Sequence, residues 1–73
     1  MSYPNPIVHL PSYALLLDLD EQQAAALAAV LRDLGDEADS KAEQSWRSHK
    51  GPMAAYWRAV GVYARHIARA VRS

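Results

Sequence analysis

The 73-residue sequence contains no cysteine, no phenylalanine and only three glycines, and no apolar run exceeds eight residues. Without cysteine, no disulfide can staple so short a chain. His9, His49 and His66 lack the spacing of a metal site, and no other ligand array stands in their place. The longest apolar run, Ala24–Leu31, is five-eighths alanine and far too short to span a bilayer. Met1–Pro11 holds three prolines and no Lys or Arg, unlike a secretory signal, so a cytoplasmic location is expected. The Gly-rich phosphate loop, G-x-S-x-G, H-E-x-x-H and the acidic calcium loop are all missing. The chain reads as non-enzymatic, with no cofactor and no metal implied.

What remains is an apolar fraction of 51% in which 14 residues are alanine, while Leu, Ile and Val together number only 15. A domain of this length buries only about 60% of its unfolded surface. One core below roughly 70–80 residues rarely supplies more than about 3–5 kcal/mol unaided. With disulfides and metals set aside, self-association is the expected source of further stability.

Residues 1–19 read as an extended N-terminal arm. Pro4, Pro6 and Pro11 remove donors and push their predecessors toward extended geometry, which excludes helix there. Ile7, Val8 and Leu10 are too apolar for a solvated tail and should lie against the body or a second chain. In Tyr13–Leu19 the odd positions Tyr13, Leu15, Leu17 and Leu19 share one side of an extended segment, predicting a short strand or strap.

Residues 20–73 read as an all-α helical hairpin. Asp20 with Gln23 three residues on forms a capping-box variant opening a helix. Leu27, Val30, Leu31 and Leu34 fall on one face, with alanines on the flanks. Leu31, Leu34, Ala38, Ala42, Ser45 and His49 carry the phase straight through Gly35, predicting one helix over about 21–49. A kink or break at Gly35 is the alternative. Lys50-Gly51-Pro52 stops it and starts a second helix over about 52–72. There Met53, Tyr56, Val60, Tyr63, Ala64, Ile67 and Val71 line one face, and Arg58, Arg65, Arg69 and Arg72 gather on the opposite one.

The zero net charge is a cancellation. All eight carboxylates lie between Asp18 and Glu43, and offsetting them with Arg32 and Lys41 leaves −6 for residues 1–45, whereas residues 46–73 sum to +6. Such halves pack as an acidic helix against a basic one. Arginine in place of lysine also favours bidentate recognition of carboxylate or phosphate. Trp46, His49, Met53, Tyr56 and Trp57 flank the turn, either as core or, with the nearby arginines, as a recognition hot spot.

An extended segment followed by two helical stretches, over residues 13–50, resembles the ribbon-helix-helix DNA-binding dimers. That likeness implies strands paired between two chains and set into the major groove. Ala14, Leu16 and Asp18, next to Asp20 and Glu21, give such a strand the wrong chemistry for phosphate and base edges. In plan the chain also resembles the small helical accessory proteins with which phages and mobile elements block host factors.

The expectation is therefore a homodimeric helix bundle associating through Leu15, Leu17, Leu19, Leu27, Val30, Leu31 and Leu34. It would act as a small protein-binding adaptor or inhibitor meeting its partner through Arg58, Arg65, Arg69, Arg72, Trp46 and Trp57. The alternative is a nucleic-acid-binding regulator using the arginine face, and a membrane-surface helix ranks third.

Overall fold

A computed structural model describes residues 5–72, the side chain of Arg72 excepted. In chain order the elements are a 3-10 turn at Pro6–His9, a short helix α1 (Tyr13–Leu17), and the long helices α2 (Glu21–Arg47) and α3 (Gly51–Arg72). Helices α2 and α3 pack against each other as a hairpin, and the N-terminal elements lie mainly on α3. The all-helical hairpin expected from the periodicity is what forms, with α2 uninterrupted at Gly35.

The start of α2 follows its sequence. The Asp20 carboxylate accepts from the Gln23 backbone N–H at 2.8 Å, and the Gln23 side chain accepts from the Asp20 N–H at 3.1 Å. Both bonds fill donors that a helix start would otherwise leave open.

Helix α2 ends at Arg47, just ahead of Lys50-Gly51-Pro52, and the residue that turns into the left-handed region is His49, with φ 59°. The Lys50 N–H donates to the Ser45 carbonyl at 2.8 Å and the His49 N–H to Trp46 at 3.1 Å, which is the Schellman arrangement. Histidine pays roughly 1–2 kcal/mol in Cβ clash for this conformation, against roughly 0.5–1 kcal/mol of chain entropy for glycine. His49→Gly should therefore stabilise the hairpin by about 0.5–1 kcal/mol, seen as a raised midpoint in thermal or urea melts followed by circular dichroism.

Two expectations for the N-terminal arm are corrected. Tyr13–Leu17 is helix, not strand, and no strand occurs among the described residues. The segment Tyr13–Leu19 holds no β-branched residue, and Leu and Ala are strong helix formers. The Leu15 N–H closes the first turn on the Ser12 carbonyl at 2.9 Å. Upstream, Pro6 opens a 3-10 turn at a position where no N–H donor is needed. Asn5 caps that turn by accepting from the Ile7 N–H at 3.0 Å, and its amide donates to the His66 carbonyl at 2.7 Å. The arm is thereby fastened to α3, with Ile7 half-buried, whereas Val8 and Leu10, expected to be covered, are exposed.

The interhelical seam is built from the smallest residues available. Ala28, Gly35, Ala38 and Ala42 of α2 are buried, as are Ala54, Gly61, Ala64, Ala68 and Val71 of α3. Among the described residues seven of the eight buried apolar side chains are alanine, the seventh being Ala70. The backbones approach closely where the two glycines meet. A Cβ on Gly61 would stand 3.5 Å from the Gly35 carbonyl oxygen and 3.1 Å from Asp39 Oδ1. The predicted apolar faces are thus turned by about one residue: Val30, Leu34, Met53, Tyr56 and Tyr63 are exposed, while Leu27, Leu31, Val60 and Ile67 are half-buried at the margin. Close approach along an alanine and glycine stripe has displaced the larger side chains to one side of the seam.

Candidate interaction surface

Turning the helices in this way decides where every charged group sits. At 100° per residue, Asp36, Asp39, Arg58, Arg65 and Arg69 fall on one flank of the hairpin. On the other flank fall Val30, Leu34 and Lys41 of α2 with Met53, Tyr56 and Val60 of α3. Contacts across the seam agree with both assignments.

On the charged flank, Arg65 forks between two carboxylates of α2. Its Nη2 lies 2.8 Å from Asp39 Oδ2 and 3.1 Å from Asp36 Oδ1, and Nη1 is 3.3 Å from Asp39 Oδ1. The side chain passes over Gly35, where a Cβ would stand 3.1 Å from Arg65 Cζ. The hydrogen bond to Asp39 raises the proton affinity of the guanidinium, partial burial works against it, and Asp36 adds to the rise. Arg65 is therefore engaged within the chain, reaching the paired helix because the seam lies closer to the arginine stripe than the α3 pattern indicated. Arg58 and Arg69 remain exposed, with Arg69 Nη2 3.5 Å from His66 Nδ1. The side chain of Arg72 lies outside the described residues.

Beyond Arg58, the outer side of α3 carries an open depression lined by Ala59, Val62, Tyr63 and His66 and bounded by Pro6. Val62 and Tyr63 are both exposed. Basic and apolar groups therefore alternate on a surface that α2 does not reach. Val62 was not singled out from the sequence, since it lies off the periodic face. It stands beside Arg58 through their i, i+4 spacing on α3.

The aromatic cluster divides into two parts. Trp57 is half-buried, stacks edge-on against Tyr56 with ring centroids 5.1 Å apart, and carries Lys41 Nζ at 5.7 Å from its ring centre. Trp46 is 66% exposed and makes no ring contact among the described residues. It borders an open depression with Arg47, His49 and Gly51. Sequence proximity to the turn did not separate these tryptophans, but their positions around the helices do.

Of the residues expected to mediate dimerisation, Leu15, Leu17, Val30 and Leu34 are exposed, while Leu19, Leu27 and Leu31 are half-buried. No group of three or more His, Asp or Glu among the described residues is arranged to hold a metal ion, and no described helix is long and apolar enough to cross a membrane. The chain matches no family model, no curated protein and no solved structure.

Proposed function

We propose that this chain is a small non-enzymatic protein-binding module, an adaptor or inhibitor working in the cytoplasm as a homodimer. It meets its partner protein through the outer side of α3 and the turn, with Arg58, Arg69, Val62 and Trp46 as the main contacts. The observation that carries this reading is the inversion of side-chain size: alanines fill the seam, while Trp, Tyr, Val and Arg side chains stand outside. Tryptophan, tyrosine and arginine are the residue types enriched at binding hot spots. Arg65 and Trp57 serve in a supporting role, holding α2 and α3 in register so that the outer residues are presented on a fixed frame.

Nucleic-acid binding through the arginine face is less well supported. Asp36 and Asp39 share the flank of Arg65 and occupy its guanidinium, and phosphate recognition needs uncompensated positive charge.

Affinity capture from extracts of the native host, read by mass spectrometry, tests the proposal. A specific protein should be retained by the natural sequence and lost with both Arg58→Glu/Arg69→Glu and Trp46→Ala, while circular dichroism stays unchanged. Equal capture by all three would refute this surface. Duplex DNA binding that weakens log-linearly with salt and vanishes in the double arginine variant would establish the nucleic-acid reading instead.

A further inference from the structure

On its inner side, helix α3 already shows how it takes up an acidic helix. The contact face is built from Ala54, Gly61, Ala64 and Ala68. From beside that stripe Arg65 forks onto Asp36 and Asp39, carboxylates one turn apart on α2, and its two outer nitrogens meet both oxygens of Asp39. Small residues let the two helices close, and the arginine holds their register.

The outer side of α3 repeats these parts. Ala55, Ala59 and Val62 are exposed and floor the open depression bounded by His66 and Pro6, with Arg58 on its edge. Arg69 stands eleven residues beyond Arg58, turned from it by only about 20° and displaced by about 16 Å along the helix axis. The two guanidinium groups therefore line one side of the groove, one toward each end. Residues 46–73 contain no carboxylate side chain. Arg58 and Arg69 enter none of the salt bridges among the described residues. Both ends of the groove are thus positive, and no acid of the same helix offsets them.

We infer that this groove receives an acidic helix of the partner protein, small or apolar where it crosses Ala55, Ala59 and Val62, with carboxylates three turns apart at Arg58 and Arg69. The inference rests on the partner-binding reading proposed above and names the chemistry of the occupant. Carboxylates suit the two arginines because the planar fork pairs with them bidentately, as Arg65 does with Asp39. A helix suits the groove because it satisfies its own backbone, whereas an extended peptide laid on a helix face finds no partners for its N–H and C=O groups. Apolar centre and charged flanks match the way amphipathic helices are held in grooves. A phosphate backbone fits less well, since two arginines about 16 Å apart meet few phosphates and the apolar floor between them stays uncovered.

The probe is an alanine-based helical peptide of about 18 residues carrying two glutamates eleven positions apart. Its control has the same composition with the glutamates nine positions apart, which puts them on opposite faces. Titration into the isotope-labelled full chain, followed by NMR, reads affinity and location together, with circular dichroism of each variant alongside. The eleven-spaced peptide should bind at least about tenfold more tightly than the control and shift the amide signals of Ala55, Ala59 and Val62. Arg58→Glu/Arg69→Glu should lose that preference and take up instead the peptide with lysines at the same two positions. Equal binding of the two spacings, no binding of the eleven-spaced peptide up to about 1 mM, or shifts confined to other residues would each overturn the assignment. If the double variant loses helix, the comparison of spacings on the natural chain decides alone. A DNA duplex held on the same residues more tightly than the peptide, with affinity falling log-linearly with salt, overturns it in favour of nucleic acid. Partner capture is read separately. A host protein captured through Arg58 and Arg69 that the eleven-spaced peptide fails to displace overturns only the acidic helix, and a peptide bound as expected with no host protein captured refutes only the partner reading.

Discussion

Gly61→Leu should open the hairpin, with a loss of about 3 kcal/mol in stability and most of the helical signal at physiological temperature. The first added carbon already stands 3.5 Å from a backbone oxygen of α2 and 3.1 Å from the Asp39 carboxylate. The carboxylate can swing aside, but only by giving up its bonds to Arg65. The Gly35 carbonyl cannot move without separating the helices, and three further leucine carbons find no room between them. Overpacking of this kind typically costs about 1–3 kcal/mol. A chain of this size has little more than that in reserve. Gly51→Ala is the matched control, because a Cβ there meets nothing within 4 Å, and its melt should stay within about 0.5 kcal/mol of the natural one. Thermal and urea melts of the two variants side by side provide the measurement, and equal midpoints would refute the close approach of the helices.

The two tryptophans should behave oppositely. Trp57→Ala removes the largest side chain at the margin of the seam, its edge-on contact with Tyr56 and the ring beneath Lys41. A loss of about 2 kcal/mol is expected, below the roughly 3–5 kcal/mol of a fully buried ring because this one is half-buried. Trp46→Ala should change stability by less than about 0.5 kcal/mol, consistent with its exposure. Urea denaturation followed by circular dichroism distinguishes the outcomes, and equal losses at both positions would mean that the turn holds one shared cluster after all.

The long-period features of this fold were legible from residue order. Asp20 and Gln23 announced the start of α2, the phase of Leu31, Leu34 and Ala38 carried the helix through Gly35, and Lys50-Gly51-Pro52 marked its limit. Each depends on interactions within a turn or two of helix. The rotation of α2 and α3 about their own axes was harder to read. Hydrophobic periodicity weights Met53, Tyr56 and Tyr63 above Ala54, Gly61 and Ala68, although the smaller residues permit the closer backbone contact. The large residues consequently pulled the expected seam about one residue round from the real one, although Ala38, Ala42, Ala64 and Val71 of the expected faces are buried, and Arg65 was placed too far from the acids of α2. The left-handed residue at the turn was not singled out from the sequence. Glycine is the ordinary occupant of that position, but the register of α2 places His49 there, one residue past its cap at Ser48. In the arm, proline content suggested extended backbone, whereas one proline at the first position of a turn is compatible with 3-10 geometry.

The alanine seam has a consequence for where conformational entropy is lost. Alanine and glycine have no side-chain rotamers to freeze, whereas a buried leucine gives up about 0.5–1 kcal/mol and a buried methionine or arginine about 1.5–2 kcal/mol. Closing α2 on α3 therefore orders mainly backbone and leaves Leu34, Met53 and Arg58 free to sample rotamers in the single chain. Any association through these residues would have to order them. A second surface meeting this hairpin must immobilise side chains that most proteins have already fixed during folding, so binding here carries an entropic opposition that rises with temperature.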